Sequence, residues 1–207
     1  MAMRPWVALR QVGIPFREIQ LWFDEGGHAT GIEQYSPTGQ VPALLVDNEP
    51  VWDSLAICEV VADLFPEKRL WPSDARARAL ARSVCAEMHA GFRNLRGAMP
   101  VNIRAALPGK GMNPGVERDI QRVTALWSDC RSRYGAGGDL LFGHFTVADA
   151  CYAPVATRFI TYAVSLPPAA RGYVEAVRGL SAVAEWTAAA KRETAFVTAD
   201  EPYAERK

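Results

Sequence analysis

The sequence predicts two packed units, a small α/β unit followed by an all-α helical bundle. Three observations carry this. Short segments of mixed helix-like and strand-like hydrophobic spacing run to Pro66, a polar stretch bracketed by prolines spans Pro66 to Ser73, and every sustained apolar pattern beyond it has helical period. The expected division is residues 1–66 for the α/β unit, 67–73 for a linker and 74–207 for the helical unit. With 49% hydrophobic and 22% charged residues over 207 positions, the chain can bury a substantial core, which excludes disordered and fibrous classes.

In the first unit, Trp6, Val7, Leu9 and Val12 fall on a helical repeat across Arg4 to Val12. Pro5 sits where a first-turn proline costs no hydrogen bond, and Gly13 ends the helix. Phe16, Ile19, Leu21 and Phe23 predict a strand across Phe16 to Phe23, broken by Gly26-Gly27. The turn chemistry of Ser36-Pro-Thr-Gly-Gln40 precedes Ala43 to Val46, and Asp47-Asn-Glu-Pro50 returns the chain through Val51-Trp52, which predicts a hairpin. From Ser54, the apolar positions Leu55, Cys58, Val61, Ala62 and Phe65 share one helix face, ended by Pro66.

In the second unit, Leu80, Val84, Met88, Phe92 and Leu95 predict one long helix from Ala75 to Arg96. Val116, Ile120, Val123, Trp127, Cys130 and Tyr134 predict a second. Leu107 to Pro114 and Gly135 to Asp139 read as loops. A third long helix runs from Thr146 to Tyr162, with Pro154 inside it, and two shorter helices fill Ser165 to Lys191; the remaining tail is expected to pack poorly.

Charge narrows the function. Twenty-three basic residues balance twenty-three acidic ones, so no global field favours nucleic acid or an anionic membrane surface. No apolar run approaches the ~20 residues of a spanning helix, and no secretory leader pattern opens the chain, so a cytoplasmic protein is expected. Cys58, Cys85, Cys130 and Cys151 are widely spaced, without zinc-type pairing, and are expected to be buried small apolar side chains; no metal is expected.

Two short motifs carry candidate chemistry. Val41-Pro42 stands between a turn and a strand. The proline either merely opens the strand, or forms a cis bond that exposes the valine backbone N–H and C=O to an extended peptide. Base rate favours the first reading, since only about 5–6% of X–Pro bonds are cis. Asp53-Ser54 marks a helix start, where either residue can cap. Free N–H groups there can hold a carboxylate while Asp53 takes an ammonium, so the pair can hold an amino-acid head group.

The string Ser36-Pro-Thr-Gly-Gln-Val-Pro-Ala-Leu44, followed by Trp52-Asp-Ser-Leu-Ala-Ile57, resembles the cytosolic glutathione S-transferase family, especially its bacterial serine-type and zeta-like members. Gly143-His-Phe-Thr-Val-Ala-Asp149 is similar to that family's capping segment, with Thr146 and Asp149 at capping-box spacing. The resemblance extends from Arg4 to about Lys191. It implies a thioredoxin-like N-terminal domain, a cis Val41-Pro42 bond, pairing of Val41 with the cysteinyl backbone of glutathione, Asp53 and Ser54 on the γ-glutamyl end, and Gln40 near the glycyl end.

Members of that family begin with a strand and a loop bearing the thiol-activating residue. Here the first helix starts almost at once, and Ala2 cannot activate a thiol. The resemblance therefore implies a thioredoxin-like domain incomplete at its start, with the strand and a catalytic serine encoded upstream of Met1; the catalytic residue is left unassigned. Met88, His89 and Phe92, with Arg158 and Tyr162 at i, i+4 on the third long helix, are candidates for an apolar substrate cleft. The expected activity is conjugation of glutathione to a small electrophile by a homodimer. The alternatives are a non-catalytic binding or scaffold protein and a glutathione-dependent isomerase, dehalogenase or reductase.

Overall fold

In the computed structural model, which describes residues 2–24, 26–198 and 201–204, one helix organises the molecule. This is α6, Val147–Thr161, in which every residue except Ile160 is buried. Seven further α-helices and one hairpin accompany it among the described residues: α1 Met3–Gln11, β1 Leu44–Val46, β2 Glu49–Val51, α2 Ser54–Leu64, α3 Ala75–Ala90, α4 Arg93–Ala98, α5 Pro114–Tyr134, α7 Pro168–Arg178 and α8 Ser181–Arg192. α1, α3 and α7 each pack on α6, and residues of both units share one apolar core.

Capping explains where the helices begin. Asp53 accepts the Leu55 N–H at 2.7 Å, Asp74 the Ala77 N–H at 2.8 Å, and Asn113 the N–H groups of Gly115 and Val116 at 2.9 and 3.0 Å. At α6 the expected capping box is present and extended. Asp149, with no exposed surface, accepts the Thr146 N–H and Oγ1–H on one oxygen, and the Leu141 N–H and the Tyr173 O–H on the other. Burial pushes the Asp149 carboxyl above its ordinary range, and these four donors pull it back.

The hairpin turns through Asp47 and Asn48, both at positive φ, the geometry of a two-residue turn matched to strand twist. β2 starts at Glu49, earlier than the sequence pattern predicts, because so tight a turn leaves Glu49 and Pro50 already opposite Val46 and Leu45.

Three expectations are corrected. The segment Phe16 to Phe23 forms no strand: its backbone pairs only at its end, at an isolated bridge between Phe23 and Ala29 where the Thr30 N–H donates to Trp22 O at 3.0 Å. From Pro15 to Leu21 no backbone N–H or C=O is paired among the described residues, so alternating side chains lack the ladder that would make them a strand. A cavity of about 1040 Å³ lies beside this segment, lined by Trp6, Leu9, Phe16, Leu21, Leu44 and Ile57 among others. The helix expected from Ala75 to Arg96 breaks at Gly91-Phe92. Phe92 takes the left-handed conformation, and a Cβ on Gly91 would lie 2.7 Å from the Glu87 carbonyl oxygen. The tail after α8 is anchored instead of loose: Arg104 donates to the Glu193 and Ala195 carbonyls and to Glu201, and the Tyr203 hydroxyl donates to Ala98 O at 2.7 Å.

The 67–73 segment is also docked. Leu70 is buried and its carbonyl accepts the Val147 N–H at 2.8 Å, while Trp71 donates to Glu59, which holds Arg82 of α3 through both oxygens.

Asp149→Ala is expected to lower stability by ~3 kcal/mol or more in a denaturant titration, because it removes a cap and leaves buried Leu141 and Tyr173 donors unpaired. Hydrogen exchange should separate the two kinds of backbone: amides of residues 16–21 exchanging ~10³-fold faster than those of 150–158, with equal protection contradicting the unpaired geometry.

Candidate functional site

The residues singled out by sequence lie at the hairpin and at the start of α2. Ser36 is buried, its hydroxyl 3.0 Å from that of Thr38, and Gly39 at positive φ completes the turn that delivers Gln40 to the surface. The Val41-Pro42 bond is cis. Val41 is half-buried, and neither its N–H nor its C=O pairs with protein among the described residues, leaving one donor and one acceptor side by side. Val41 and Pro42 also line the large cavity, whereas Gln40, Asp53 and Ser54 do not, so the cavity and the α2 start are separate places.

At the α2 start, Ser54 is 2% exposed and Asp53 remains open to solvent. One Asp53 oxygen is used on the Leu55 N–H; the other lies 3.3 Å from Nε2 of His89, in the last turn of α3. The arrangement can hold a zwitterionic head group, with the carboxylate of Asp53 facing an ammonium and the early α2 N–H groups facing a carboxylate.

The expected cleft residues separate into two groups. His89 reaches the site, although it faces Asp53 and not an apolar wall. Met88, Phe92, Arg158 and Tyr162 are at most 7% exposed and belong to the core. Arg158 donates to the Met99 and Pro154 carbonyls, and the Tyr162 hydroxyl donates to Pro100 O at 3.0 Å. Those two side chains lock the loop after α4 onto α6. Helical spacing could not distinguish a wall facing a cleft from one facing another helix.

One residue of the site was missed from sequence. Arg4 of α1 is 1% exposed and lies against His89, Nη1 to Nδ1 at 3.4 Å. The available signal was an arginine three and four positions before Val7 and Ala8, on the buried face of the first helix. All four cysteines are buried and free, as expected, and burial holds the Cys58 thiol well above the ordinary range. Among the described residues no cluster of three or more His, Cys, Asp or Glu side chains is placed to hold a metal ion, and no helix is long and apolar enough to cross a membrane.

Comparison with known proteins adds two domain matches. The glutathione S-transferase N-terminal domain family matches residues 1–64, and the corresponding C-terminal domain family matches residues 113–189. The chain belongs to the glutathione S-transferase family. A maleylacetoacetate isomerase of Rattus norvegicus is 24% identical over 169 residues, covering 78% of this chain and 74% of that protein. Protein LigF of a Sphingobium species is 34% identical over 86 residues, covering 39% and 33% respectively. Among solved structures, a glutathione transferase homolog from Burkholderia GL BGR1, crystallised with bound glutathione, superposes with a TM-score of 0.69 at 22% identity, covering 93% of this chain and 92% of its own.

The glutathione S-transferase fold is therefore the thioredoxin-like and helical pair expected from sequence, here with a two-stranded hairpin as the paired sheet among the described residues. Because the Tyr162 hydroxyl serves the Pro100 carbonyl, Tyr162→Phe is expected to cost about 1 kcal/mol of stability and to leave ligand affinity within twofold, read by thermal melts and calorimetric titration side by side.

Proposed function

We propose that this glutathione S-transferase family member binds glutathione in an extended pose and activates it toward a small electrophile. The observation that carries the reading is the pairing of an unpartnered Val41 backbone, ahead of a cis proline, with an acidic-serine pair at a helix start. Peptide recognition needs a free donor and acceptor for the ligand's main chain, and Val41 offers both. A γ-glutamyl group ends in an amino-acid head, and Asp53 with the α2 N-terminus supplies charges of the right signs for its ammonium and carboxylate. Gln40, exposed at the turn, is assigned to the glycyl end.

In this reading the thiolate is the nucleophile, and a donor hydrogen bond to sulfur lowers its pKa. The electrophile takes the place opposite the thiol on the helical side, and two copies of the chain form a homodimer in the cytoplasm. A second reading, glutathione-dependent isomerisation, is favoured by the similarity to the rat maleylacetoacetate isomerase across 78% of the chain. There the thiolate adds reversibly and leaves again, so glutathione is not consumed.

Titration with glutathione should give a dissociation constant in the millimolar range or tighter. Ser54→Ala should weaken it about tenfold, as expected for losing a hydrogen bond to a charged group. Thioether formation with chlorodinitrobenzene supports the transferase, and unchanged glutathione with an isomerised olefin supports the second reading. No binding at millimolar glutathione sinks both.

A further inference from the structure

A guanidinium without a carboxylate lies behind Asp53. Arg4 is buried, it forms no ion pair among the described residues, and its Nε meets no partner there. Its other two nitrogens have their hydrogen-bond partners, among the described residues, on α3: Nη2 donates to Met88 O at 3.4 Å, and Nη1 faces His89 Nδ1 at 3.4 Å. A guanidinium has donors and no acceptor, and it keeps its proton in proteins. The His89 nitrogen facing it must therefore be the acceptor. In a neutral imidazole the hydrogen then sits on Nε2, and Nε2 is the atom 3.3 Å from Asp53 Oδ2. Arg96 fixes the backbone beneath this ring by donating to His89 O at 2.9 Å.

We propose that Arg4 and His89 are positioning residues for Asp53. Arg4 sets the tautomer of His89, and His89 turns its Nε2–H to one Asp53 oxygen while the Leu55 N–H holds the other. The carboxylate is thereby kept in one orientation at the mouth of the site, where its remaining lone pairs face a ligand ammonium. The ligand chemistry is the α-amino group of a γ-glutamyl head, and this rests on the glutathione reading above. Placement across three helices makes the device specific: α1 carries the cation, α3 the ring and the α2 cap the carboxylate, so none of the three groups is oriented by its own helix alone.

The test uses glutathione and its deamino analogue, glutaryl-cysteinylglycine, titrated into wild-type protein and into His89→Ala and His89→Gln. Wild-type protein is expected to prefer glutathione about tenfold or more, the range for a hydrogen bond to a charged group. In His89→Ala that preference should fall to within about threefold, and His89→Gln should restore part of it, since its amide N–H can reach Asp53. A purely structural role weakens both ligands equally and keeps the ratio, which would overturn the proposal. A glutamine variant no better than alanine would overturn it too. Independently, ¹⁵N-resolved NMR of unliganded protein should show the His89 ring protonated at Nε2 and bare at Nδ1; the opposite tautomer removes the relay whatever binds. If wild-type protein has no affinity for glutathione, the proposed function and the ligand named here fall together, and the tautomer still decides the relay separately.

Discussion

Asp149 is the point on which the rest of the molecule hangs. Its carboxylate has no exposure and draws in donors from the start of its own helix, from the loop ahead of it and from α7. Desolvating a carboxylate is unfavourable unless its lone pairs are filled, and here two donors serve each oxygen. The consequence is positional. With its start fixed, α6 can run buried along almost its whole length as the surface on which α1 and α3 are laid. Those two helices carry Arg4 and His89. The geometry beside Asp53 is therefore inherited from a capping interaction in the other unit.

The first unit rests on less. Its helices α1 and α2 are tied to the bundle by apolar packing, but the described sheet is a hairpin of two three-residue strands, and the segment from Pro15 to Leu21 has no ladder among the described residues. Trp22 and Phe23, about half exposed, stand at the end of that segment. Side-chain alternation across Phe16 to Phe23 meets the local requirement for a strand. The remaining requirement is a neighbour at hydrogen-bonding distance, and that is a property of the whole fold. Local pattern and global pairing come apart here, next to a cavity of about 1040 Å³.

The same distinction separates what could be read from sequence from what could not. Helix starts were readable where capping is local: Asp53 and the Thr146–Asp149 pair each lie within three residues of a helix-start N–H that they serve. The hairpin was readable from its turn residues, whereas its register was not, since the turn expected over Asp47 to Pro50 closes in two residues and pairs Glu49 with Val46. The break at Gly91-Phe92 was hidden because the apolar period continues through it from Met88 to Leu95, and the interruption depends on a left-handed residue that spacing does not register. Tyr162 and Arg158 share the expected face, yet what that face meets is the loop after α4. The tail was misjudged for a like reason: Arg104, about ninety residues upstream, collects its carbonyls.

Arg4 is the case where composition and environment disagree most. Removing a guanidinium from water costs several kcal/mol, and a protein usually offsets this with a carboxylate at close range. Around Arg4 the described structure supplies one carbonyl, one imidazole nitrogen and an unfilled Nε. A methionine or leucine would pack on α6 at lower cost, so stability alone does not account for an arginine there. Departures of this kind are expected where a fold serves a site. The nearest anion in the chain of contacts is Asp53, one imidazole away, and it is also the charged group most open to a ligand at the α2 start. A cation placed behind the ring gives that ring a direction, since the nitrogen turned to Arg4 can only accept. The charge of Arg4 is buried, and its effect appears at the surface as a fixed proton facing Asp53.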